Sequence, residues 1–224
     1  MRCIRFSNFC HAKALARGLG LAWLVSAAGA GPAAALELRI SELFYDAAGA
    51  DQGRVFLELY GAPGLDLAGF SVEGVNGANG AVVEVVPLSG VIPPDGFFVL
   101  AGTSGGVTEV LHADLTRSFD FQNGPDSVVL RGPGAAVLDA LGYGVFGFGE
   151  VFAGEGQPAS DAPPGSSLAR LFADVDTNHN AADFGVLSAP TPGTGPVAAA
   201  VPEPRAWVLV LVGSVALRRL LGAS

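Results

Sequence analysis

Cysteine is almost absent from this 224-residue chain, which contains only Cys3 and Cys10. Both precede the position at which we expect the chain to be cut, so the mature protein would have no disulfide and no thiol nucleophile. The cysteines therefore say nothing about the redox compartment of the protein. That question depends on the two ends of the chain.

Positive charge is scarce in the central part of the chain. Residues 36–204 contain five arginines and no lysine, whereas all 21 acidic residues lie there, which gives a formal balance of −16. Nucleic-acid affinity depends on clustered Lys and Arg side chains that displace counterions from phosphates. We therefore expect no nucleic-acid partner. A strongly acidic surface suits a well-solvated exported protein.

Signals for catalysis are also lacking. The chain has no H-E-x-x-H metalloprotease motif, and its body contains only two histidines, His112 and His179. Residues 142–147 fit G-x-G-x-x-G, but no helical pattern follows, as a dinucleotide site requires. We predict no catalytic residue, no cofactor and no enzymatic activity. A secreted hydrolase remains a distant alternative, because a catalytic triad is recognised by its geometry.

The body, residues 36–194, has the pattern of many short strands separated by Gly, Pro, Asn and Asp, with no convincing helix. We predict strands at residues 36–45, 55–60, 67–75, 81–86, 96–100, 127–131 and 137–142. Such a series indicates an all-β sandwich or barrel. In the second strand Val55, Leu57 and Leu59 share one face, and we expect Glu58 to face outward rather than to be a buried, paired acid. Residues 144–166 form a Gly- and Pro-rich loop, in which we expect Glu150 and Glu155 to be solvated.

The N-terminal residues, 1–35, have the pattern of a signal peptide. Four basic residues and no acid come first, an apolar stretch follows, and Ala33, Ala34 and Ala35 provide small residues before a cleavage site. An amphipathic first helix would need a polar face, and none occurs between Leu19 and Ala35. We predict export and cleavage after Ala35 by signal peptidase.

The C-terminal end contains a linker, residues 195–200, and then a tail, residues 201–224. Residues 206–217 carry no charge, but a membrane-spanning helix needs about 20 apolar residues, so a permanent span is not expected. The tail would be a short hydrophobic helix; the alternative is a C-terminal core helix. Its distinguishing residues are Val201, Pro202, Glu203, Pro204, Trp207, Arg218 and Arg219.

The Pro-Glu-Pro motif, the nearby tryptophan, the short apolar stretch and the terminal arginines together resemble the PEP-CTERM sorting tail. The resemblance implies recognition by an exosortase-type membrane protease of a Gram-negative bacterium and cleavage near the motif. It also implies transient anchoring in the inner membrane, with the arginines on the cytoplasmic side. The protein would then be delivered to the cell surface or to an exopolysaccharide matrix.

The body resembles the lamin-tail domain. The similarity extends over nearly all of the body in the order of that family, through residues 40–42, 56–60, 67–70, 88–90, 92–100, 119–130, 137–144, 167–170, 176–184 and 190–193. It implies an immunoglobulin-like β-sandwich and a binding or scaffolding role. Fold alone does not determine function.

One acidic stretch is a candidate metal site. Oxygen-bearing side chains recur at alternate positions in Asp174, Asp176, Asn178 and Asn180, with Asp183 nearby, and of these Asp174, Asp176, Asn178 and Asp183 are the candidate ligands. This spacing is similar to calcium-binding loops, in which the ion takes six to eight oxygen ligands. The match is incomplete, since a glycine is expected where His179 stands. The alternative is that these residues cap turns by bonding backbone N–H groups.

The sequence therefore predicts a non-enzymatic exported protein that acts at the surface or in the extracellular matrix as a lamin-tail binding or structural module. Its expected partners are signal peptidase, the exosortase-type protease, and exopolysaccharide or other surface proteins. The main alternative is a calcium-dependent adhesion module.

Overall fold

Ten strands form two β-sheets in residues 38–195, the part of the chain that this computed structural model describes. The strands are β1 Leu38–Phe44, β2 Phe56–Gly61, β3 Ser71–Asn76, β4 Val82–Pro87, β5 Phe97–Gly102, β6 Leu115–Arg117, β7 Asp126–Arg131, β8 Val137–Tyr143, β9 Ser167–Arg170 and β10 Phe184–Leu187. The one α-helix of the described residues, α1, is Asn180–Asp183, and a 3₁₀ turn spans Pro133–Ala135.

The two sheets have different sizes. One has six strands in the order β10-β9-β1-β2-β5-β6, and the other has four in the order β4-β3-β7-β8. Neighbouring strands are antiparallel except β5 and β6, which are parallel. Side chains of both sheets form one buried hydrophobic cluster, to which Leu57 and Leu59 of one sheet and Val128 and Leu130 of the other belong.

The prediction of an all-β fold is confirmed, and the seven predicted strands all occur, with ends shifted by up to four residues. Three short strands, β6, β9 and β10, and the four-residue helix α1 were not predicted. Each is only three or four residues long, too short for periodicity to reveal. The immunoglobulin-like type stays a prediction. The predicted signal peptide and the sorting tail lie outside the described residues, as does most of the linker.

No helix in residues 38–195 has the length and apolar character needed to cross a membrane.

A β-bulge in β1 changes which side chains face the core. The pairing of β1 with β2 shifts between Ile40 and Glu42, so Ser41 is the extra residue. Leu38 and Ile40 before the bulge, and Leu43 after it, all contact the core. The same shift places Glu42 directly opposite Glu58 of β2, on the face away from that core.

The two sheets are also joined by a polar contact between β1, inside the six-stranded sheet, and β8, at an edge of the four-stranded sheet. The backbone N–H of Ile40 in β1 donates a 2.7 Å hydrogen bond to Oδ2 of Asp139 in β8. Asp139 has no exposed surface. This buried carboxylate, between the sheets, is the starting point of the candidate site.

Candidate functional site

Arg170, at the end of β9, is the centre of a buried charge cluster. Its side chain is fully buried, although arginine is rarely buried unless it is paired. The guanidinium nitrogens donate to the carbonyl oxygens of Ile40 (3.0 Å) and Val175 (3.1 Å). The ring of Phe184 lies 4.5 Å from the guanidinium carbon, in a cation–π contact. The arginine thus ties β1, β10 and the loop after β9 together.

Three carboxylates form ion pairs with Arg170. Arg170 Nη2 lies 2.8 Å from Asp139 Oδ2, and Nη1 lies 3.2 Å from Asp183 Oδ2 and 3.4 Å from Asp176 Oδ1. Asp176 also lies 3.9 Å from the guanidinium of Arg39. Burial raises the pKa of Asp139 despite the neighbouring charge of Arg170 and the hydrogen bond from Ile40. The name Arg170 cluster is used below for Arg170, Asp139, Asp176, Asp183 and the neighbouring Glu155.

Glu155 belongs to the cluster although its position in a Gly- and Pro-rich loop predicted a solvated side chain, and that prediction is wrong. Glu155 is half-buried, and its Oε2 is buried without a hydrogen-bond partner among the described residues. Burial, and then the negative charges of Asp139 and Asp176, raise the pKa of Glu155 to about 7. Glu150, by contrast, is exposed as predicted.

The loop holds Glu155 in place through Asn180 of α1. The backbone N–H of Glu155 donates to Asn180 Oδ1, and the backbone N–H of Asn180 donates to the Glu155 carbonyl, both at 2.9 Å. The same Asn180 side chain bonds the backbone of Ala140 and Gly142 in β8. A buried amide with all these partners fixes the loop, α1 and β8 relative to one another.

Two residues of the predicted calcium loop, Asp176 and Asp183, contact Arg170, and Asp174, Asp176 and Asp183 do not form a converging group of their own in residues 38–195. Both oxygens of Asp183 accept hydrogen bonds from Thr177, and one also accepts from Arg170. Burial raises the pKa of Asp183, but these bonds and the Arg170 charge outweigh it, so the pKa is lowered overall. The backbone N–H of Asn178 donates to Asp176 Oδ1 in a tight turn with φ of 55°. Asp174 is half-buried. The turn-capping alternative describes Asp176 and Asn178.

A different set of carboxylates does converge. In residues 38–195, oxygens of Asp139, Glu155 and Asp176 lie within 4.8 Å of one another, and this is the only set of three or more potential metal-ligating side chains found there. It shares only Asp176 with the predicted set. The signal for Asp139 is present in the sequence, because the two-residue repeat places it on the face of Leu141 and Tyr143.

A second polar feature fixes the end of the described chain to the six-stranded sheet. Glu42 accepts hydrogen bonds from the Thr191 backbone N–H, the Thr191 hydroxyl and the Ser167 hydroxyl. Glu58 accepts from the Ser41 hydroxyl (2.8 Å) and from the Gly193 backbone N–H (2.7 Å). Both glutamates have no exposed surface. They are called the C-terminal clamp below, because they hold residues 191–193 across β1 and β2.

The prediction that Glu58 faces outward to solvent is therefore wrong. Glu58 does lie on the face opposite Leu57 and Leu59, but the segment around Gly193 covers that face. A strand pattern identifies the two faces of a strand; it does not show that a distant segment buries both. Burial, with the nearby charge of Glu42, raises the pKa of Glu58 to about 7 even though its hydrogen bonds from Ser41 and Gly193 lower it.

The raised pKa of Glu58 predicts that the protein loses stability as the pH rises. Between its ordinary value of 4.5 and about 7, the folded protein retains a proton that the unfolded chain has lost, so the free energy of unfolding falls as pH increases. At about 1.4 kcal/mol per pKa unit, the free energy of unfolding is lower above pH 7 than below pH 4.5 by about 3 kcal/mol at most. Glu58→Gln, which mimics the protonated acid, is expected to remove this part of the pH dependence in chemical denaturation at pH 5 and pH 8.

The matched control for that measurement is Glu109→Gln, because Glu109 is an exposed acid whose side chain pairs only with exposed Arg54. Its pH dependence should equal that of the unsubstituted protein. An unchanged slope in Glu58→Gln would contradict the assignment.

The two histidines of the body differ in their surroundings, since His112 is exposed and His179 is half-buried. His112 lies in the loop between β5 and β6, and His179 Nδ1 is buried with no hydrogen-bond partner among residues 38–195. Residues 102–106 fit the G-x-S-x-G pattern. They form a turn in which Ser104 pairs with Val107 by backbone hydrogen bonds, and the helix that a nucleophile elbow requires does not follow.

The glycine-rich segment at residues 142–147 is also not followed by a helix. Beyond Tyr143 it leaves β8 and becomes a surface loop, in which Val145 and Phe148 are almost fully exposed.

Comparison of the chain with protein-family models, with curated proteins and with solved structures finds no match. The lamin-tail and sorting-tail resemblances therefore stay predictions.

Proposed function

We propose that this chain is an exported, non-enzymatic module of the cell surface or extracellular matrix of a Gram-negative bacterium. The observation that carries the proposal is the order of segments along the chain. A signal-peptide pattern at residues 1–35 precedes a β-rich body, and a tail with Pro202, Glu203, Pro204 and Trp207 follows it. In this proposal the body is an immunoglobulin-like sandwich of the lamin-tail type, and signal peptidase and an exosortase-type protease process the two ends.

The C-terminal clamp supports this proposal in mechanical terms. The chain runs from β10 through Thr191 and Gly193, which buried glutamates hold on the sheet, and continues toward the predicted linker. While the tail is anchored, a pull on the linker would reach these hydrogen bonds before β10. A binding module that is displayed by its C-terminal end benefits from such protection against unravelling.

The acidic, lysine-free body supports a role among surface polymers rather than on nucleic acid. Residues 36–204 contain five arginines and 21 acidic residues. One of the five arginines, Arg170, is buried. Exopolysaccharide or other surface proteins are the proposed partners.

The sorting part of the proposal predicts that the tail motif controls where the protein accumulates. In a Gram-negative host that produces an exosortase-type protease, replacing Pro202, Glu203 and Pro204 with alanine should retain the protein in the inner membrane. The unsubstituted protein should reach the surface or the medium. Cell fractionation with immunodetection measures the distribution.

Val208→Ile is the matched control, since it keeps the apolar character of the tail and the motif intact. It should be released like the unsubstituted protein. Equal release of the triple-alanine variant would contradict sorting by this motif.

A further inference from the structure

Three segments that are distant in sequence bring carboxylates to one point of the Arg170 cluster. Asp139 comes from β8, Glu155 from the loop after β8, and Asp176 from the loop after β9, and their oxygens lie within 4.8 Å of one another. Asp139 is fully buried, whereas Glu155 and Asp176 are half-buried. The group therefore has a closed inner side and an outer side that solvent can reach.

Two oxygens of this group have no partner among the described residues. Asp139 Oδ1 and Glu155 Oε2 are both buried and accept no hydrogen bond. Asp139 Oδ2, in contrast, accepts from Ile40 and Arg170, so the free oxygen is on a carboxylate that is otherwise held rigidly. Buried polar atoms without partners are rare in folded proteins because they lose the hydration of the unfolded chain. A bound cation or a shared proton would provide these two oxygens with a partner.

The local charge favours a divalent cation. Asp139, Asp176 and Asp183 pair with Arg170, Glu155 lies beside Asp139 and Asp176, and Arg39 lies 3.9 Å from Asp176. Four carboxylates against two guanidinium groups leave a formal excess of two negative charges. Arg170 also donates to the carbonyl oxygens of Ile40 and Val175, and neither arginine donates a hydrogen bond to Asp139 Oδ1 or Glu155 Oε2.

The ligand type favours calcium over magnesium. Calcium takes six to eight oxygen ligands in a flexible geometry, whereas magnesium demands near-ideal octahedral geometry and usually keeps several of its waters. We propose that Asp139, Glu155 and Asp176 bind one calcium ion, with water completing its coordination from the outer side. This site differs from the set predicted by sequence spacing, and it does not depend on the proposed export.

Calorimetric titration of the purified full chain with calcium chloride, after removal of divalent ions with EDTA, tests the site. We expect one saturable site with a Kd of roughly 10⁻⁴ to 10⁻³ M, the range of extracellular calcium modules, and a melting temperature that rises with calcium concentration. Glu155→Gln should weaken binding at least tenfold. It should still fold, because the contacts of Glu155 with Asn180 are made by its backbone.

Two matched variants locate the ion. Glu150→Gln changes an exposed acid of the same loop, and Asp174→Asn changes a residue of the sequence-predicted set that is outside this group; both should keep the calcium affinity within twofold. Absence of calcium binding at 10 mM, or equal affinity in Glu155→Gln, would overturn the proposal. Magnesium chloride binding as tightly as calcium would overturn the choice of ion.

Discussion

Replacement of Arg170 with methionine is expected to lower the free energy of unfolding by about 3–5 kcal/mol, the usual result of removing one partner from a buried ion pair. Methionine fills a similar volume but leaves the fully buried Asp139 without its 2.8 Å ion pair. It also leaves the carbonyl oxygen of Ile40 without its donor. Chemical denaturation followed by far-UV circular dichroism measures the change.

Arg170→Lys should recover little of this loss, because one ammonium group cannot serve acceptors on several sides as the planar guanidinium does. Asp139→Asn in the Arg170→Met background should recover about 1 kcal/mol or more, because the double variant no longer buries this carboxylate charge without a partner. Arg54→Met, at an exposed pair with Glu109, is the control and should change stability by less than about 1 kcal/mol. A loss below 1 kcal/mol in Arg170→Met would contradict the role of the cluster.

Replacement of Glu42 with alanine is expected to free residues 191–193 from the sheet and to cost about 2–4 kcal/mol, since hydrogen bonds to a charged acceptor are lost and buried donors are left unpaired. Three donors lose their acceptor: the Thr191 N–H, the Thr191 hydroxyl and the Ser167 hydroxyl. Hydrogen exchange should show lost protection at the amides of Thr191 and Gly193 before any loss in β2.

Glu109→Ala, at an exposed position, serves as the control and should leave the exchange of Thr191 unchanged. The clamp would be ruled out if Glu42→Ala retained full protection at Thr191 and Gly193. A uniform increase of exchange over all strands would indicate global destabilisation instead of local release.

The strands were predictable from the sequence because their signals are local. Alternation in residues 55–60 and the apolar run near Val128 identify β2 and β7 without knowledge of their partners. The short strand β9 contains an arginine in its four residues, and no local rule distinguishes it from a loop. Its place in the sheet depends on pairing with β1, more than 120 residues away.

The candidate site was less predictable because its parts are distant in sequence. Arg170 bonds a residue 130 positions away in β1, and Glu42 bonds one 149 positions away in the last described segment. Glu58 shows the general reason: its strand pattern distinguishes two faces, but only the tertiary fold determines that residues 191–193 cover the second. The burial of Asp139 was easier to predict, since an acid on the apolar face of a strand indicates a buried partner.

Two features stabilise the β-rich body. Arg170, the only buried arginine among residues 38–195, lies among four acids. Glu42 and Glu58 hold residues 191–193 on the six-stranded sheet. The body contains no cysteine and therefore no disulfide in residues 36–204. The calcium site would add stability that depends on the external medium. The segment order at the two ends of the chain remains the basis of the functional proposal.

The intact mass of the protein recovered from the surface or medium of the exosortase-producing host tests the proposed export and processing. We expect a chain that begins at Leu36 and ends close to the Pro202-Glu203-Pro204 motif, without Trp207, Arg218 or Arg219. A mature surface protein that retains Leu220 and Leu221 would contradict processing of the tail.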